Sequence, residues 1–431
     1  MNEKNLTGPE KVKGFFFLLV QRLWICFELF NRNGLVNHAA ACAYNFLLSA
    51  APALLFVAFV ISRAMTVIPE LTENLLDDFG LLVNVSGIGN LNIKGLIENF
   101  LGSAGSGLAA IISIVMIFWT ARLCALSAKR GLGVIFPGSR SVIKDNAVTL
   151  ALGFLTIMVI FIALIGLRLT LYLYKSPDFA FLKGPALAFL VKAFSMTGLA
   201  LLVLAAYRFV PACPPGLKNI IQGVLMYMIF YIGFTTVFSL MVNPDRYNLL
   251  YGTLGRLFLF LVNVYFFFVF FFFGGQLIYV LEFSDTLLFA RYRKIHSKLT
   301  VPLPILDKLL FASLPGPLEK YSKIYKKGDF VFAMHSHGQE VYYILSGLAG
   351  VYLDDECRNR IATIDEAHFF GEMASVASDS RTASVKAETD LSVLVLPPEL
   401  FSSILKHDPD TDKSIIKALS ERLMSVNQQI L

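Results

Sequence analysis

The chain has 431 residues, of which 56% are hydrophobic, with a mean hydropathy of +0.65 and a formal net charge of +6. This composition excludes a soluble globular protein. The positive charge does not indicate nucleic-acid binding, because the basic residues lie mostly at the ends of apolar runs, as the positive-inside rule expects. We therefore expect an integral membrane protein that contacts the lipid bilayer and binds no nucleic acid.

The first 36 residues begin with a polar stretch and continue into the apolar stretch Phe15 to Phe30, which Gln21, Arg22 and Glu28 interrupt. This pattern predicts a cytoplasmic or interfacial helix that lies along the bilayer surface and does not cross it. The membrane domain is then expected over residues 37–283. Its six apolar runs of ~20 residues or more are each long enough to cross a bilayer, and they lie at 38–62, 107–128, 146–173, 185–209, 217–242 and 251–282.

An even number of spans places both ends of the chain on one side of the membrane. Lysine and arginine flank the spans on that side, whereas the opposite loops carry mainly aspartate and glutamate. The positive-inside rule therefore predicts that the N- and C-termini are cytoplasmic.

Residues 284–323 form a predicted basic linker with short coupling helices. From residue 324 to the end, short β-branched and aromatic runs such as Val341 to Leu345 and Leu391 to Leu396 alternate with turns, and a polar helix is expected from about Asp412. The predicted fold is thus an all-α polytopic membrane domain of about six transmembrane helices with a small α+β cytoplasmic β-roll at 324–431.

The stretch Phe370 to Lys386, FGEMASVASDSRTASVK, has the pattern of a ligand pocket. Backbone amides at a helix start and the guanidinium of Arg381 favour a phosphate, while the carboxylate of Glu372 accepts hydrogen bonds from sugar hydroxyls. The residue types therefore predict a site for a sugar phosphate.

The spacing of this stretch resembles the phosphate-binding cassette of cyclic nucleotide-binding domains, and the similarity extends over about 305–431. The resemblance implies a regulatory cyclic nucleotide held by Gly371, Glu372, Met373, Ala374, Arg381, Thr382 and Ala383. Family members that select cyclic GMP have a threonine where Thr382 stands, yet a bacterial setting slightly favours cyclic AMP. Ser380 and His368 depart from the family pattern without removing a phosphate or ribose contact.

The membrane half resembles the YihY/BrkB family of bacterial inner-membrane proteins, formerly described as ribonuclease BN-like. The ordered motifs that carry this resemblance are Ala39–Ala41 with Tyr44, then Tyr207–Pro211, Tyr251–Gly255 and Gly274–Leu277. The family usually has glutamate where this chain has Gln276, which puts a carboxylate role there in doubt. The resemblance implies an inner-membrane location and a link to envelope integrity or export.

Polar residues inside the predicted spans are costly in lipid and are candidates for a membrane cavity. They are Arg168, Lys192, Arg256 and Gln276. A shared cavity would form a basic route for an anionic solute or lipid headgroup, whereas the alternative is that Arg168 and Lys192 extend to the bilayer surface.

The sequence shows no nucleophile or phosphate-binding loop motif of an enzyme, and its cysteines and histidines lack metal-site spacing. We therefore expect neither catalysis nor a metal. The predicted function is a transporter- or exporter-like body regulated by cyclic nucleotide, and the alternative is a scaffold that regulates envelope proteins without transport. The sequence leaves open a homo-oligomer.

Overall fold

Long apolar helices make up the described chain before residue 297, and two antiparallel sheets follow. The computed structural model describes residues 8–48, 122–123, 125–138, 141, 146–148, 151, 185–241, 253–296, 304–353, 360–377, 380–408, 411 and 415–416. The chain divides into a helical unit, Cys26–Glu282, and a β-roll unit, which combines Met1–Ile25 with Phe283–Leu431. The predicted fold class, a helical membrane region followed by a β-roll, is confirmed.

The helices before residue 297 begin with α1, which starts in the β-roll unit and ends in the helical unit. Their bounds are Gly8–Arg32 for α1, 35–48 for α2, 125–135 for α3, Pro185–Phe209 for α4, Leu217–Met241 for α5, Thr253–Glu282 for α6 and Ser284–His296 for α7. Residues 122–123, 146–148 and 151 are also helical. Helices α4, α5 and α6 coincide with the last three predicted spans, whereas most of the first three runs lies outside the described residues.

Within the described part of the chain, three helical stretches are long and apolar enough to cross a membrane. They are Gly14–Arg32, Leu217–Met241 and Phe258–Glu282. The first is the stretch for which the sequence predicts an interfacial position, and that position stays a prediction. Because α5 and most of α6 are strongly apolar with few charged residues, they fit a lipid environment.

Helices α5 and α6 approach each other closely at two glycines. A Cβ atom on Gly223 would lie 2.3 Å from Ile278 Cγ1 and 3.0 Å from the Gly274 carbonyl oxygen. A Cβ atom on Gly274 would lie 2.7 Å from the Tyr207 hydroxyl and 3.0 Å from the Gly223 carbonyl oxygen. Small residues permit such close backbone packing in membrane helices, so this crossing depends on glycine at both positions.

The β-roll consists of two four-stranded antiparallel sheets, with strand orders β1-β8-β3-β6 and β2-β7-β4-β5. Buried side chains from both sheets form one hydrophobic cluster that includes Tyr342, Phe370, Val385 and Val393. The strands are β1 Ser322–Tyr325, β2 Phe330–Phe332, β3 Val341–Ser346, β4 Ala349–Tyr352, β5 Arg360–Ile364, β6 Phe369–Phe370, β7 Ser384–Ala387 and β8 Leu391–Leu396. The predicted strands in the two apolar runs are confirmed as β3 and β8.

Short helices complete the β-roll unit: α8 Ile305–Leu310, α9 Gly316–Glu319, α10 Glu372–Ala377 and α11 Pro398–His407. The start of the predicted linker is α7, which packs on the β-roll. Phe289 of α7 is fully buried, and its ring centroid lies 5.2 Å from that of Tyr343 and 6.0 Å from that of Phe369. The predicted C-terminal helix from about Asp412 lies largely outside the described residues.

Candidate functional site

The predicted phosphate-binding stretch begins with a turn between strand β6 and helix α10. Phe369 and Phe370 end β6 with both side chains buried, and α10 begins at Glu372. Gly371 joins the two with φ +77°, a left-handed conformation that glycine adopts without strain. The turn therefore brings the helix start directly to the end of a core strand.

Arg381 lies at the centre of this site and is almost fully buried. Its Nη1 donates to the Gly371 carbonyl at 2.9 Å, and its Nη2 donates to the Glu340 carbonyl at 2.9 Å. The same Nη2 lies 3.4 Å from Glu340 Oε2. The guanidinium also stacks over the Phe332 ring, 4.2 Å from its centroid. These contacts fix the plane of the guanidinium, a group whose fork of donors matches the geometry of a phosphate or carboxylate.

Two glycines leave the space that the guanidinium occupies. A Cβ atom on Gly371 would lie 2.7 Å from Arg381 Nη1, and one on Gly338 would lie 3.3 Å from Arg381 Nη2 and 2.9 Å from Glu340 Oε2. Alanine at Gly371 would therefore clash with Arg381 and also strain the backbone. The glycine that opens the cassette thus makes room for the arginine that closes it.

The site contains a buried positive charge, the Arg381 guanidinium, next to the aromatic rings of Phe332 and Tyr342. Burial lowers the pKa of Arg381, while nearby Tyr342, Glu340 and Glu372 act in the opposite direction. An arginine stays protonated under such conditions, because its ordinary pKa is far above neutral. Glu372 is also buried, at 2% exposure, so the site contains one buried carboxyl group and one buried guanidinium.

The structure places the predicted cassette residues in different environments. Ala374 is buried and Ala383 is half-buried, whereas Met373 and Thr382 are exposed. The sequence prediction missed Gly338, Glu340, Phe332 and Tyr342, which surround the Arg381 guanidinium. The sequence signal for these residues was the short segment Gly338 to Glu340 directly before the apolar strand β3. Its contact with Arg381 spans 41 residues and cannot be read from the local sequence.

The candidate membrane-cavity residues are described only in part. Gln276 is fully buried and accepts a hydrogen bond from Asn33 Nδ2 through Oε1 at 3.2 Å, and its own Nε2 has no hydrogen-bond partner among the described residues. Lys192 and Arg256 lie on α4 and α6, but their side chains are outside the described set, as is all of Arg168. The shared cavity stays a prediction.

A metal site is not indicated by the geometry of the described residues, since none of their acidic, histidine or cysteine side chains form a group of three or more. His335 and His337 lie in the turn between β2 and β3, where His335 has φ +60° and donates its backbone amide to the Arg381 carbonyl. The backbone of this turn also accepts from the Arg381 amide through the Ser336 carbonyl, so the turn holds the segment that contains Arg381.

Comparison with known families assigns both parts of the chain. Residues 26–291, more than half of the sequence, match the family described as virulence factor BrkB. The chain belongs to the BrkB family. Residues 322–408 match the cyclic nucleotide-binding domain. The predicted fusion of these two families is confirmed, and the BrkB family together with the apolar helices identifies a membrane protein.

Two curated relatives are cyclic nucleotide-gated channels, and each match covers less than a third of this chain. The cyclic nucleotide-gated channel beta-3 of Canis lupus familiaris is 31% identical over 102 residues, which cover 23% of this chain and 13% of the channel. A cyclic nucleotide-gated potassium channel of Rhizobium etli is 27% identical over 126 residues, covering 29% of this chain and 34% of that protein. The chain thus matches about an eighth of the first channel and a third of the second.

Solved structures with similarity to this chain cover a quarter of it. The Thermus thermophilus catabolite activator protein is 22% identical with a TM-score of 0.24, and the match covers 25% of this chain and 52% of that one. The cAMP-bound PfPKA-R is 23% identical with a TM-score of 0.22, covering 25% and 36%.

Proposed function

We propose that this BrkB-family protein is a transporter of the bacterial inner membrane that moves an anionic solute or lipid-like anion under the control of a cyclic nucleotide. The nucleotide is a regulator that binds the β-roll at the cassette and is not transported. Cyclic AMP is the favoured ligand over cyclic GMP, and the protein has no catalytic activity. In this proposal about six helices cross the membrane, with both termini cytoplasmic.

The observation that supports regulation by the nucleotide is that helix α7 directly follows the membrane helix α6 in the chain and packs on the β-roll. Only Phe283 separates the end of the apolar helix α6 from the start of α7. Helix α7 in turn buries Phe289 completely, and its Thr286 hydroxyl hydrogen-bonds the Ser403 hydroxyl of α11 at 2.9 Å. This continuous segment of chain supports the proposal that a change in the β-roll is passed to α6.

Buried aromatic rings connect the cassette with α7. Phe370 precedes the cassette glycine and stacks on Tyr342, with 5.0 Å between ring centroids, and Tyr342 in turn lies beneath the Arg381 guanidinium. The adjacent Phe369 contacts Phe289 of α7. A ligand that moves the cassette turn would also move this pair of phenylalanines. It can shift the membrane body only by its difference in affinity for the two states, ~1.4 kcal/mol per tenfold.

Replacing Phe289 by leucine should weaken regulation while leaving nucleotide binding intact. The substitution keeps an apolar side chain but removes the ring contacts with Phe369 and Tyr343, at a cost of about 1 kcal/mol in folding free energy. We expect the dissociation constant for cyclic AMP to change by less than about twofold, equivalent to ~0.4 kcal/mol. The effect of cyclic AMP on flux should fall, whereas Phe330→Leu, the same change at a half-exposed β2 residue, should preserve it.

Replacing Glu340 by glutamine should increase the affinity for cyclic AMP. The Glu340 carboxylate lies 3.4 Å from Arg381 Nη2 and competes with a bound phosphate for the same donor. Because its side chain is 48% exposed, the pair is partly screened and the gain is limited to roughly 0.5–1 kcal/mol, or about two- to fivefold.

Titration calorimetry on the full chain, at low and high salt, measures this gain. The gain should shrink as salt screens the carboxylate. Glu399→Gln on α11 removes the same charge from an exposed position elsewhere and should leave affinity unchanged. An unchanged affinity in Glu340→Gln would show that the carboxylate does not compete with the ligand.

Flux in reconstituted liposomes tests the transport part of the proposal. Entrapped carboxyfluorescein reports the passage of an anionic solute, and dithionite quenching of a fluorescent anionic phospholipid reports lipid movement between leaflets. We expect one of these rates to change with cyclic AMP in the native protein and not in Arg381→Ala. Nucleotide-dependent capture of envelope proteins with no change in either rate would instead support the scaffold.

A further inference from the structure

Helix α8 has its polar and apolar sides reversed relative to a helix in a soluble domain. Its sequence is ILDKLL, and its aspartate, Asp307, is fully buried. Three aliphatic side chains face outward instead, with exposures of 87% for Ile305, 47% for Leu306 and 70% for Leu309. Leu310 is also buried, at 6% exposure. A helix that buries its carboxylate and exposes three of its four aliphatic side chains has an orientation that needs a specific cause.

Polar contacts with α1 and α7 hold α8 in this orientation. Asp307 Oδ1 accepts a hydrogen bond from Trp24 Nε1 at 2.7 Å, and its Oδ2 forms an ion pair with Arg291 Nη1 at 3.2 Å. Gln21, which is also buried, donates through Nε2 to the Leu310 carbonyl at 2.7 Å. Since both oxygens of the buried carboxylate have partners, α8 is fixed to the N-terminal helix with Ile305, Leu306 and Leu309 outward.

The outward face of α8 exposes the apolar side chains of Ile305, Leu306 and Leu309, which is unfavourable in water. Removing a leucine or isoleucine side chain from water stabilises a structure, so three such exposed residues on one short helix indicate a covered surface. The neighbouring helix α1 presents large apolar side chains of its own, with Phe15 at 68% and Phe16 at 66% exposure. These belong to a stretch that is apolar enough for a membrane environment.

We infer that the outward face of α8 lies in the lipid bilayer, at the level of the headgroups and upper acyl chains, beside the apolar surface of α1. The chain is a membrane protein, and α8 is bonded directly to an apolar helix whose side chains already favour lipid. Lys308 is exposed on the same short helix, and a lysine placed there pairs with anionic headgroups while its neighbours enter the acyl region. Helix α8 thus anchors the β-roll unit to the membrane surface.

Photo-crosslinking from single positions tests this inference on the full chain in liposomes that contain phosphatidylglycerol. A benzophenone amino acid replaces Ile305 or Leu309 of α8, and the control replaces Ile324, which is 75% exposed on strand β1 of the same unit. We expect phospholipid adducts, detected by intact-protein mass spectrometry, at both α8 positions and a yield several times lower at 324. Equal yields at all three positions would overturn the inference.

Cross-linking of either α8 position to a second copy of the protein would also overturn the inference, because it would show that a second copy covers this face. An independent measurement uses a nitroxide at Leu309 in a cysteine-free variant and compares its collisions with oxygen, which concentrates in lipid, and with a nickel chelate, which stays in water. The oxygen-to-nickel ratio should be several times that of a nitroxide at Ile324. A ratio equal to that at Ile324 would place α8 in water.

Discussion

Substituting Arg381 by alanine is expected to abolish measurable cyclic nucleotide binding by the full-length protein. Two charge-assisted hydrogen bonds to a phosphate contribute about 1.5–3 kcal/mol each, so their loss corresponds to a reduction in affinity of at least roughly 100-fold. The substitution also removes the donors to the Gly371 and Glu340 carbonyls, which hold the cassette turn in place. Titration calorimetry with cyclic AMP and cyclic GMP in lipid nanodiscs measures the effect.

Two further variants separate ligand contact from folding. Arg381→Lys keeps the charge but lacks the planar fork, and we expect an intermediate loss of affinity. Lys386→Ala removes a cation from strand β7 of the same β-roll, where Lys386 Nζ lies over the Phe330 ring, and should leave affinity unchanged. Native-like binding by Arg381→Ala would exclude Arg381 as the phosphate ligand.

Substituting Gly223 by leucine is expected to destabilise the helical unit strongly. Even a Cβ atom at this position would lie 2.3 Å from Ile278 Cγ1, and the carbonyl of Gly274 is 3.0 Å away. Overpacking costs about 1–3 kcal/mol per site and more where backbone must move, so we expect a loss of at least about 3 kcal/mol. For a unit of this size that corresponds to a fall in melting temperature of roughly 6–12 °C.

The matched control lies in the same helix. A Cβ atom on Gly233 of α5 would have no atom of the described residues within 4 Å, so Gly233→Leu should melt within a few degrees of the native protein. Fluorescence-detected size exclusion after heating in detergent measures both variants. If both variants melt alike, the close approach of α5 and α6 does not determine the stability of the helical unit.

Local patterns were sufficient to predict the β-roll, whereas its ligand site stays a prediction. The apolar runs of β3 and β8 have the residue types of buried strands, and the spacing of Gly371, Glu372 and Arg381 is local to one loop and helix. The positions of α4, α5 and α6 followed from the length of their apolar runs alone.

The contacts that could not be predicted join residues far apart in the chain. Glu340 reaches Arg381 across 41 residues, and Trp24 reaches Asp307 across 283 residues. A buried hydrogen-bond network with α1 and α7 turns Asp307 inward on α8, and the sequence ILDKLL alone does not show this orientation. Pattern reasoning treats each segment separately, so it has no access to partners of this kind.

Hydrogen exchange of α6 with and without cyclic AMP tests most directly whether the β-roll controls the membrane body, because it requires no knowledge of the transported molecule. The full chain in nanodiscs is compared with Arg381→Ala, and peptides from Thr253–Glu282 are followed by mass spectrometry. We predict that cyclic AMP changes exchange in α7 and α6 of the native protein and in neither helix of the variant. A change confined to the β-roll, with α6 unaffected, would contradict regulation of the membrane body by the nucleotide.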